Sequence, residues 1–103
     1  MHPVVSSKKE ELAELCRQFG VARLEVFGSA STDTFDSGSS DVDLLVEFLP
    51  DQDLGPWMAH FFDFRTALEQ CLGCKVDLVM PQAMKNPYFI QEVNRTRRLV
   101  YAA

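Results

Sequence analysis

The chain has 103 residues, 47% hydrophobic and 24% charged, as expected for a single small globular domain over residues 1–103. A net charge of −5 argues against a general polyanion-binding surface, so we expect no direct nucleic-acid binding. No apolar run approaches the roughly 20 residues that span a bilayer, and the N-terminus lacks a signal-peptide pattern. We therefore expect a cytoplasmic protein without a membrane partner.

Hydrophobic periodicity and turn residues predict alternating helices and strands. The predicted elements, in chain order, are a helix from Ser6 or Ser7 to residue 19, a strand over 21–27, a loop over 31–40, a strand over 42–48, a helix from Pro56 to 72, a strand over 75–80, a helix over 88–93 and an edge strand over 98–101. This order predicts an α/β or α+β fold, in which helices flank a small mixed sheet.

Two carboxylates stand two residues apart at the start of the second predicted strand. Since residues i and i+2 of a strand point to one face, Asp41 and Asp43 would lie side by side, about 7 Å apart at their Cα atoms. Their repulsion brings the fold no benefit unless a cation lies between them. The pair therefore predicts a metal site.

A third carboxylate and a small-residue turn extend this prediction. Asp77 lies between two apolar residues of the third predicted strand, and it would join the pair if the two strands are neighbours. Three carboxylates suit two Mg²⁺ ions. Gly28 lets the backbone approach a phosphate without a Cβ, and Ser29 offers an N–H and a hydroxyl. Together these features indicate chemistry on a nucleoside triphosphate.

Residues 27–29 (Phe-Gly-Ser) and 40–46 (Ser-Asp-Val-Asp-Leu-Leu-Val) resemble the signature of the nucleotidyltransferase superfamily related to DNA polymerase β. The short single-domain form resembles the minimal nucleotidyltransferases (MNT). The resemblance covers nearly the whole chain and implies the polymerase β-like nucleotidyltransferase fold. It also implies that Gly28, Ser29 and Ser40 bind the nucleotide, and that Asp41, Asp43 and Asp77 are the catalytic, metal-binding residues.

The same resemblance implies a substrate and a partner. Minimal nucleotidyltransferases are often antitoxins that transfer AMP from ATP to a tyrosine of a helical HEPN ribonuclease toxin. We therefore expect ATP as substrate, two Mg²⁺ ions and a HEPN toxin as partner. Two alternatives stay open. One is a non-catalytic module that neutralises a toxin by contact, and the other is an antibiotic-type nucleotidyltransferase, whose acceptor pocket would require a homo-oligomer.

One departure from the family pattern concerns phosphate charge. Many relatives carry Ala-Arg-Gly just after Gly-Ser-x, whereas this chain has Ser31-Thr32-Asp33 and no Lys or Arg between Arg23 and Arg65. The phosphate charge would then be met by metal, backbone N–H groups and serines. We interpret the basic residues 95, 97 and 98 as a solvated face.

Other chemistry-bearing residues have simpler interpretations. Cys71 and Cys74 form a C-x-x-C pair, but it closes a helix instead of opening one, so structural thiols are favoured over a redox or zinc site. Asp51 and Asp53 lie in a Pro/Gly-flanked turn, which favours a solvated loop. The aromatic stripe that begins at Trp57 is interpreted as core, although its excess width could serve a partner.

Overall fold

The computed structural model describes residues 1–32, 34–36 and 41–103. Its helices and strands, in chain order, are α1 (Pro3–Ser6), α2 (Lys9–Phe19), β1 (Val21–Phe27), β2 (Val42–Phe48), α3 (Ala59–Leu72), β3 (Val76–Val79), α4 (Pro87–Thr96) and β4 (Arg98–Ala102). A short 3₁₀ turn, Gly28–Ser31, follows β1. The fold class expected from the sequence is confirmed.

The four strands form one mixed sheet in the order β3-β2-β1-β4. β1 pairs antiparallel with β2 and with β4, whereas β2 pairs parallel with β3. A parallel neighbour requires a crossover connection, and α3 provides it. β4 lies at the edge, as predicted.

The sheet buries apolar side chains on both faces. On one face α2 and α3 cover the larger core, which includes Leu24, Leu44 and Phe64. On the other face, α4 places Val93 against Phe27 and Leu45 in a smaller core. Because side chains alternate along a strand, Asp43 points to the α4 face, as Leu45 does. The candidate carboxylates therefore lie beside the smaller core.

The predicted serine cap of the first helix is wrong. His2 caps α1 instead, because its Nδ1 accepts the Val4 N–H at 3.0 Å. The Ser7 hydroxyl donates back to the Pro3 carbonyl, which ends this first turn. α2 then begins at Lys9 without a side-chain cap.

The predicted start of α3 at Pro56 is also wrong. Trp57 and Met58 both adopt φ = 56°, in the left-handed region, so the helical path begins only at Ala59. Trp57 is consequently 95% exposed instead of joining the buried stripe, whose members Phe61 and Phe64 do lie in the core. Two consecutive non-glycine residues in this region are a strained arrangement.

The three cysteines are free thiols. Cys16 is buried, and burial raises its pKa to about 12. Cys71 and Cys74 are only half-buried, and burial again raises the pKa of each thiol. All three are therefore held in the protonated form, which is the less nucleophilic one. Among the described residues, no helix has the length and apolar character needed to cross a membrane.

A buried ion pair joins the end of α4 to the middle of β1. Glu25 is 4% exposed. It accepts Arg97 Nε at 2.9 Å and Arg23 Nε at 3.0 Å. Arg97 therefore belongs to a structural ion pair, and the expectation that it lies on a solvated face is wrong.

Replacing Glu25 with alanine is expected to lower the free energy of unfolding by about 1–2 kcal/mol, because two arginines lose their partner but can still reach water. The hydrogen bond from Arg97 holds the pKa of Glu25 below its ordinary value. The ion pair therefore stabilises the fold fully above the ordinary glutamate pKa. This stabilisation is lost as the pH falls through the lowered pKa of Glu25. Urea unfolding of both proteins at pH 7 and pH 3 measures it, and an equal gap at the two pH values would contradict the assignment.

Candidate active site

The strand register brings two of the three predicted aspartates, Asp43 and Asp77, side by side. Asp43 is paired directly with Asp77 across the parallel β2–β3 ladder, and with Phe27 across β1–β2. Directly paired residues point to the same face, so the Asp43 and Asp77 carboxylates share it. Asp41 precedes β2 and is exposed, as is Asp77, whereas Asp43 is half-buried. The structure therefore brings Asp43 and Asp77 together, while a site formed by all three carboxylates stays a prediction.

The electrostatic state of Asp43 reflects this crowding. Burial, followed by the neighbouring carboxylates of Asp77 and Asp41, raises its pKa from 3.8 to about 6. A like-charge cluster of this kind is costly unless a cation neutralises it. Within residues 1–32, 34–36 and 41–103, however, no three His, Cys, Asp or Glu side chains already form a set able to hold a metal ion. The exposed Asp41 and Asp77 would have to turn towards Asp43.

Gly28 fits against this cluster because it has no side chain. Its φ is +69°, and a Cβ placed on it would overlap Asp43 Oδ2. The glycine is thus required twice, once by the backbone conformation and once by the adjacent carboxylate. Part of the structural demand for Gly28 therefore comes from Asp43, and not only from the approach of a phosphate.

The end of α4 holds the Gly28 turn in place. The Gly28 N–H donates to Thr96 Oγ1 at 2.9 Å, and that hydroxyl donates in turn to the Glu92 carbonyl at 3.0 Å. The Thr96 side chain is almost fully buried. Gly28 therefore has no free N–H for a phosphate in this conformation, whereas the Ser29 hydroxyl has no hydrogen-bond partner among the described residues.

A cavity of about 280 Å³ opens beside this turn. Its wall comes from the Gly28–Ser31 turn, the residues after it and one side of α4; it is lined by Gly28, Ser29, Thr32, Thr34, Glu92, Arg95 and Thr96. The Glu92 and Arg95 side chains pair with each other at its rim, with Arg95 Nε donating to Glu92 Oε2 at 3.1 Å. Gly28 both lines this cavity and lies against the Asp43 carboxylate.

Cavity size alone does not identify this site. Two larger cavities, of about 390 and 450 Å³, lie at the far end of β2 near Leu49 and on α3 near Thr66. Neither is lined by any of the predicted site residues. The smaller cavity is the relevant one because Ser29 and Gly28 line it, and Gly28 lies against the Asp43 carboxylate.

The sequence interpretation missed the contribution of α4. Ser40 lies outside the described residues, and its role stays a prediction. Arg95 lines the cavity at Ser29, so it is more than part of a solvated face. Thr96, which no motif marks, accepts the Gly28 N–H. The sequence does carry a signal for a longer helix here. Asn86 followed by Pro87 is typical of a helix start, and Glu92 and Arg95 form an i,i+3 pair of opposite charge.

Two curated relatives resemble this chain. Protein adenylyltransferase MntA of Thermococcus cleftensis is 36% identical over 83 residues, which are 81% of this chain and 76% of the relative. A protein of Methanocaldococcus jannaschii whose name also places it among the protein adenylyltransferases is 35% identical over 79 residues, covering 77% and 76% of the two chains.

Solved structures show the same fold. A structure described as a minimal nucleotidyltransferase has a TM-score of 0.72 at 29% identity and covers 95% of each chain. A toxin–antitoxin complex with AMP-PNP gives a TM-score of 0.69 at 21% identity, covering 92% of this chain and 73% of that one. An MNT antitoxin bound to a tri-AMPylated Shewanella oneidensis HEPN toxin gives 0.64 at 18% identity, with coverage of 95% and 72%.

The family model described as nucleotidyltransferase domain matches residues 8–100, which include the Gly28 turn, all three aspartates and the cavity wall formed by α4. With a match over that length and two curated relatives above 30% identity, the chain belongs to the nucleotidyltransferase domain family.

Proposed function

We propose that this protein transfers AMP from ATP to a hydroxyl of a partner HEPN toxin, a tyrosine in the first instance, and releases pyrophosphate. The observation that carries the proposal is the direct pairing of Asp43 with Asp77 beside the Gly28–Ser31 turn. Carboxylates next to a small-residue turn support chemistry on a nucleoside triphosphate. We also propose that the reaction takes place in the cytoplasm, where ATP is abundant.

The partner is inferred from similar proteins. Both curated relatives carry protein adenylyltransferase names, and two solved complexes of the same fold contain a toxin, one of them AMPylated and the other with AMP-PNP. These similarities support ATP as the nucleotide and a HEPN toxin as the acceptor. They favour an enzyme over a module that acts by contact alone.

The residues present fit divalent metal. The influences on the pKa of Asp43, burial and two neighbouring carboxylates, all raise it, and a cation would relieve this. Oxygen ligands are those that Mg²⁺ prefers. Asp41, Asp43 and Asp77 would hold the metal. Bound there, Mg²⁺ supplies charge neutralisation to the triphosphate and lowers the pKa of the acceptor hydroxyl.

The chain's own residues then have distinct roles. Ser29 donates its hydroxyl to a phosphate oxygen, and the turn orients the triphosphate. Asp77, the more exposed member of the directly paired acids, takes the proton from the acceptor hydroxyl. The acceptor oxygen forms a bond to the α-phosphorus as the bond from that phosphorus to the pyrophosphate oxygen breaks. The electron pair leaves with pyrophosphate.

The test uses the purified protein, its cognate HEPN partner, Mg²⁺ and ATP labelled at either the α- or the γ-phosphate. We expect label on the toxin from the α-position only, and none when the acceptor tyrosine is replaced by phenylalanine. Label from the γ-position would indicate a kinase instead. Absence of any label, with normal binding of the partner, would contradict the proposal.

A double variant separates catalysis from contact. Asp41→Ala with Asp43→Ala is expected to abolish AMP transfer while the complex with the toxin still forms in size-exclusion chromatography. Toxin ribonuclease activity should then be restored if neutralisation depends on transfer. If the double variant neutralises the toxin as well as the wild type does, the contact-only alternative is the correct one.

A further inference from the structure

The triphosphate site lacks a cation in the part of the sequence that forms the turn. ATP brings several negative charges to a place where three aspartates already lie, and no Lys or Arg occurs between Arg23 and Arg65. This holds for every position of residues 24–64, including those whose structure is not described. A cationic side chain for the phosphates must come from another part of the chain.

The fold brings a cationic side chain from α4 to the phosphate turn. Arg95 lines the cavity together with Ser29, and among the described residues that line it, Arg95 alone is cationic. Its position is fixed by its neighbours on both sides. Thr96 accepts the Gly28 N–H, Val93 is fully buried in the smaller core, and Arg97 is paired with Glu25. The backbone that carries Arg95 is thereby anchored beside the phosphate turn.

The Arg95 guanidinium can exchange its carboxylate partner for a phosphate. Arg95 is paired with Glu92, one helical turn earlier, and the two side chains are 67% and 57% exposed. An exposed pair of this kind is weak, so a phosphate can replace the carboxylate at little cost. Arginine donors match phosphate oxygens in a bidentate geometry, and such charge-assisted bonds are among the stronger ones.

We propose that Arg95 is the cationic contact for the triphosphate, and that Glu92 competes for it as an opposing, affinity-lowering residue. This rests on the proposed function only in requiring that the cavity beside Ser29 accepts the phosphates of ATP. The two substitutions then have opposite effects on nucleotide binding. A purely structural ion pair would instead make them equivalent, because either one breaks the same pair.

The chain offers a closely matched control. Arg17 and Glu14 form the same i,i+3 pair on α2, with side chains 57% and 58% exposed and an Nη2–Oε2 distance of 2.9 Å. Neither residue lines the cavity. Arg17→Ala therefore removes the same charge and the same kind of pair, at a place remote from the turn.

The experiment measures the dissociation constant of a fluorescent ATP analogue with Mg²⁺, by anisotropy, for the full chain at two salt concentrations. Arg95→Ala should weaken binding about tenfold, with a smaller salt dependence. Arg95→Lys should lie between it and the wild type, because the charge stays but the bidentate geometry is lost. Glu92→Gln should tighten binding about threefold, and Arg17→Ala should leave it unchanged.

The outcomes separate this inference from the proposed function. Equal weakening by Arg95→Ala and Glu92→Gln, or an effect of Arg95→Ala no larger than that of Arg17→Ala, overturns the role of Arg95 even if the wild type transfers AMP. Opposite effects of the two substitutions support it even if no AMP reaches the toxin. A wild type that binds no nucleotide at all overturns both. Circular dichroism of each variant confirms that the fold is retained.

Discussion

Replacing Asp43 with asparagine is expected to abolish AMP transfer and, at the same time, to stabilise the protein without metal. Transfer should fall by about 10³-fold, since a carboxylate that holds the metal is worth several kcal/mol in the transition state. The free energy of unfolding should rise by about 1 kcal/mol at pH 7. The raised pKa of Asp43 by itself corresponds to a larger free energy, but solvent screening of this half-buried group reduces it.

The direction of the stability change follows from the pKa of Asp43. The pKa of Asp43 is about 6 in the folded protein and 3.8 as its ordinary value, so the folded state binds the proton more tightly. The stabilisation from protonation is therefore complete below the ordinary value and is lost as the pH rises through about 6. The stability gap between Asp43→Asn and wild type should be widest at pH 7 and should close between pH 6 and the ordinary aspartate value.

Thermal unfolding without metal at pH 4, 5, 6 and 7 measures this gap. Asp51→Asn is the matched control, because it neutralises an exposed aspartate that lies in a turn away from the cluster. Added Mg²⁺ should raise the midpoint of the wild type more than that of Asp43→Asn. If Asp43→Asn proves less stable than the wild type at pH 7, the like-charge account of this cluster is wrong.

Replacing Gly28 with alanine is expected to impair stability and transfer together. The left-handed φ of +69° costs a residue with a Cβ about 1–2 kcal/mol. The new methyl group would also overlap Asp43 Oδ2. The carboxylate must then shift from its place beside Asp77, and displacement of a reacting group by about 1 Å can cost about 100-fold in rate.

Gly73→Ala separates the two effects. Gly73 has φ of +72°, nearly that of Gly28, but no atom lies within 4 Å of a Cβ built there. It should therefore show the backbone cost alone, with transfer retained. Urea unfolding and α-labelled transfer assays on both variants make the comparison. Equal losses of stability with full activity in Gly28→Ala would show that the contact with Asp43 is unimportant.

The strands were predictable because their patterns are local. Alternating apolar residues predicted the bounds of β1 and β2 as the structure has them. Even the pairing of Asp43 with Asp77 required only that the third strand lie beside the second. The structure supplies that adjacency, through the parallel ladder.

The parts that could not be predicted depend on backbone conformation or on distant contacts. Periodicity places Trp57 in the aromatic stripe, but the left-handed conformation at Trp57 and Met58 diverts the chain before the helix begins. Arg95 resembles a surface charge in the sequence. Distant contacts bring that part of α4 to the turn, among them the hydrogen bond between Gly28 and Thr96, residues 68 positions apart.

The parallel pairing of β3 affects the order in which the side chains of the site come together during synthesis. A chain that has formed only the β1–β2 hairpin already carries Asp41 and Asp43 beside Gly28, yet it has neither Asp77 nor the anchor from Thr96. Both arrive after the α3 crossover, from the last third of the sequence. During synthesis on the ribosome, the hairpin therefore emerges before Asp77 and Thr96, and the complete set of side chains comes together only after β3 and α4 have emerged.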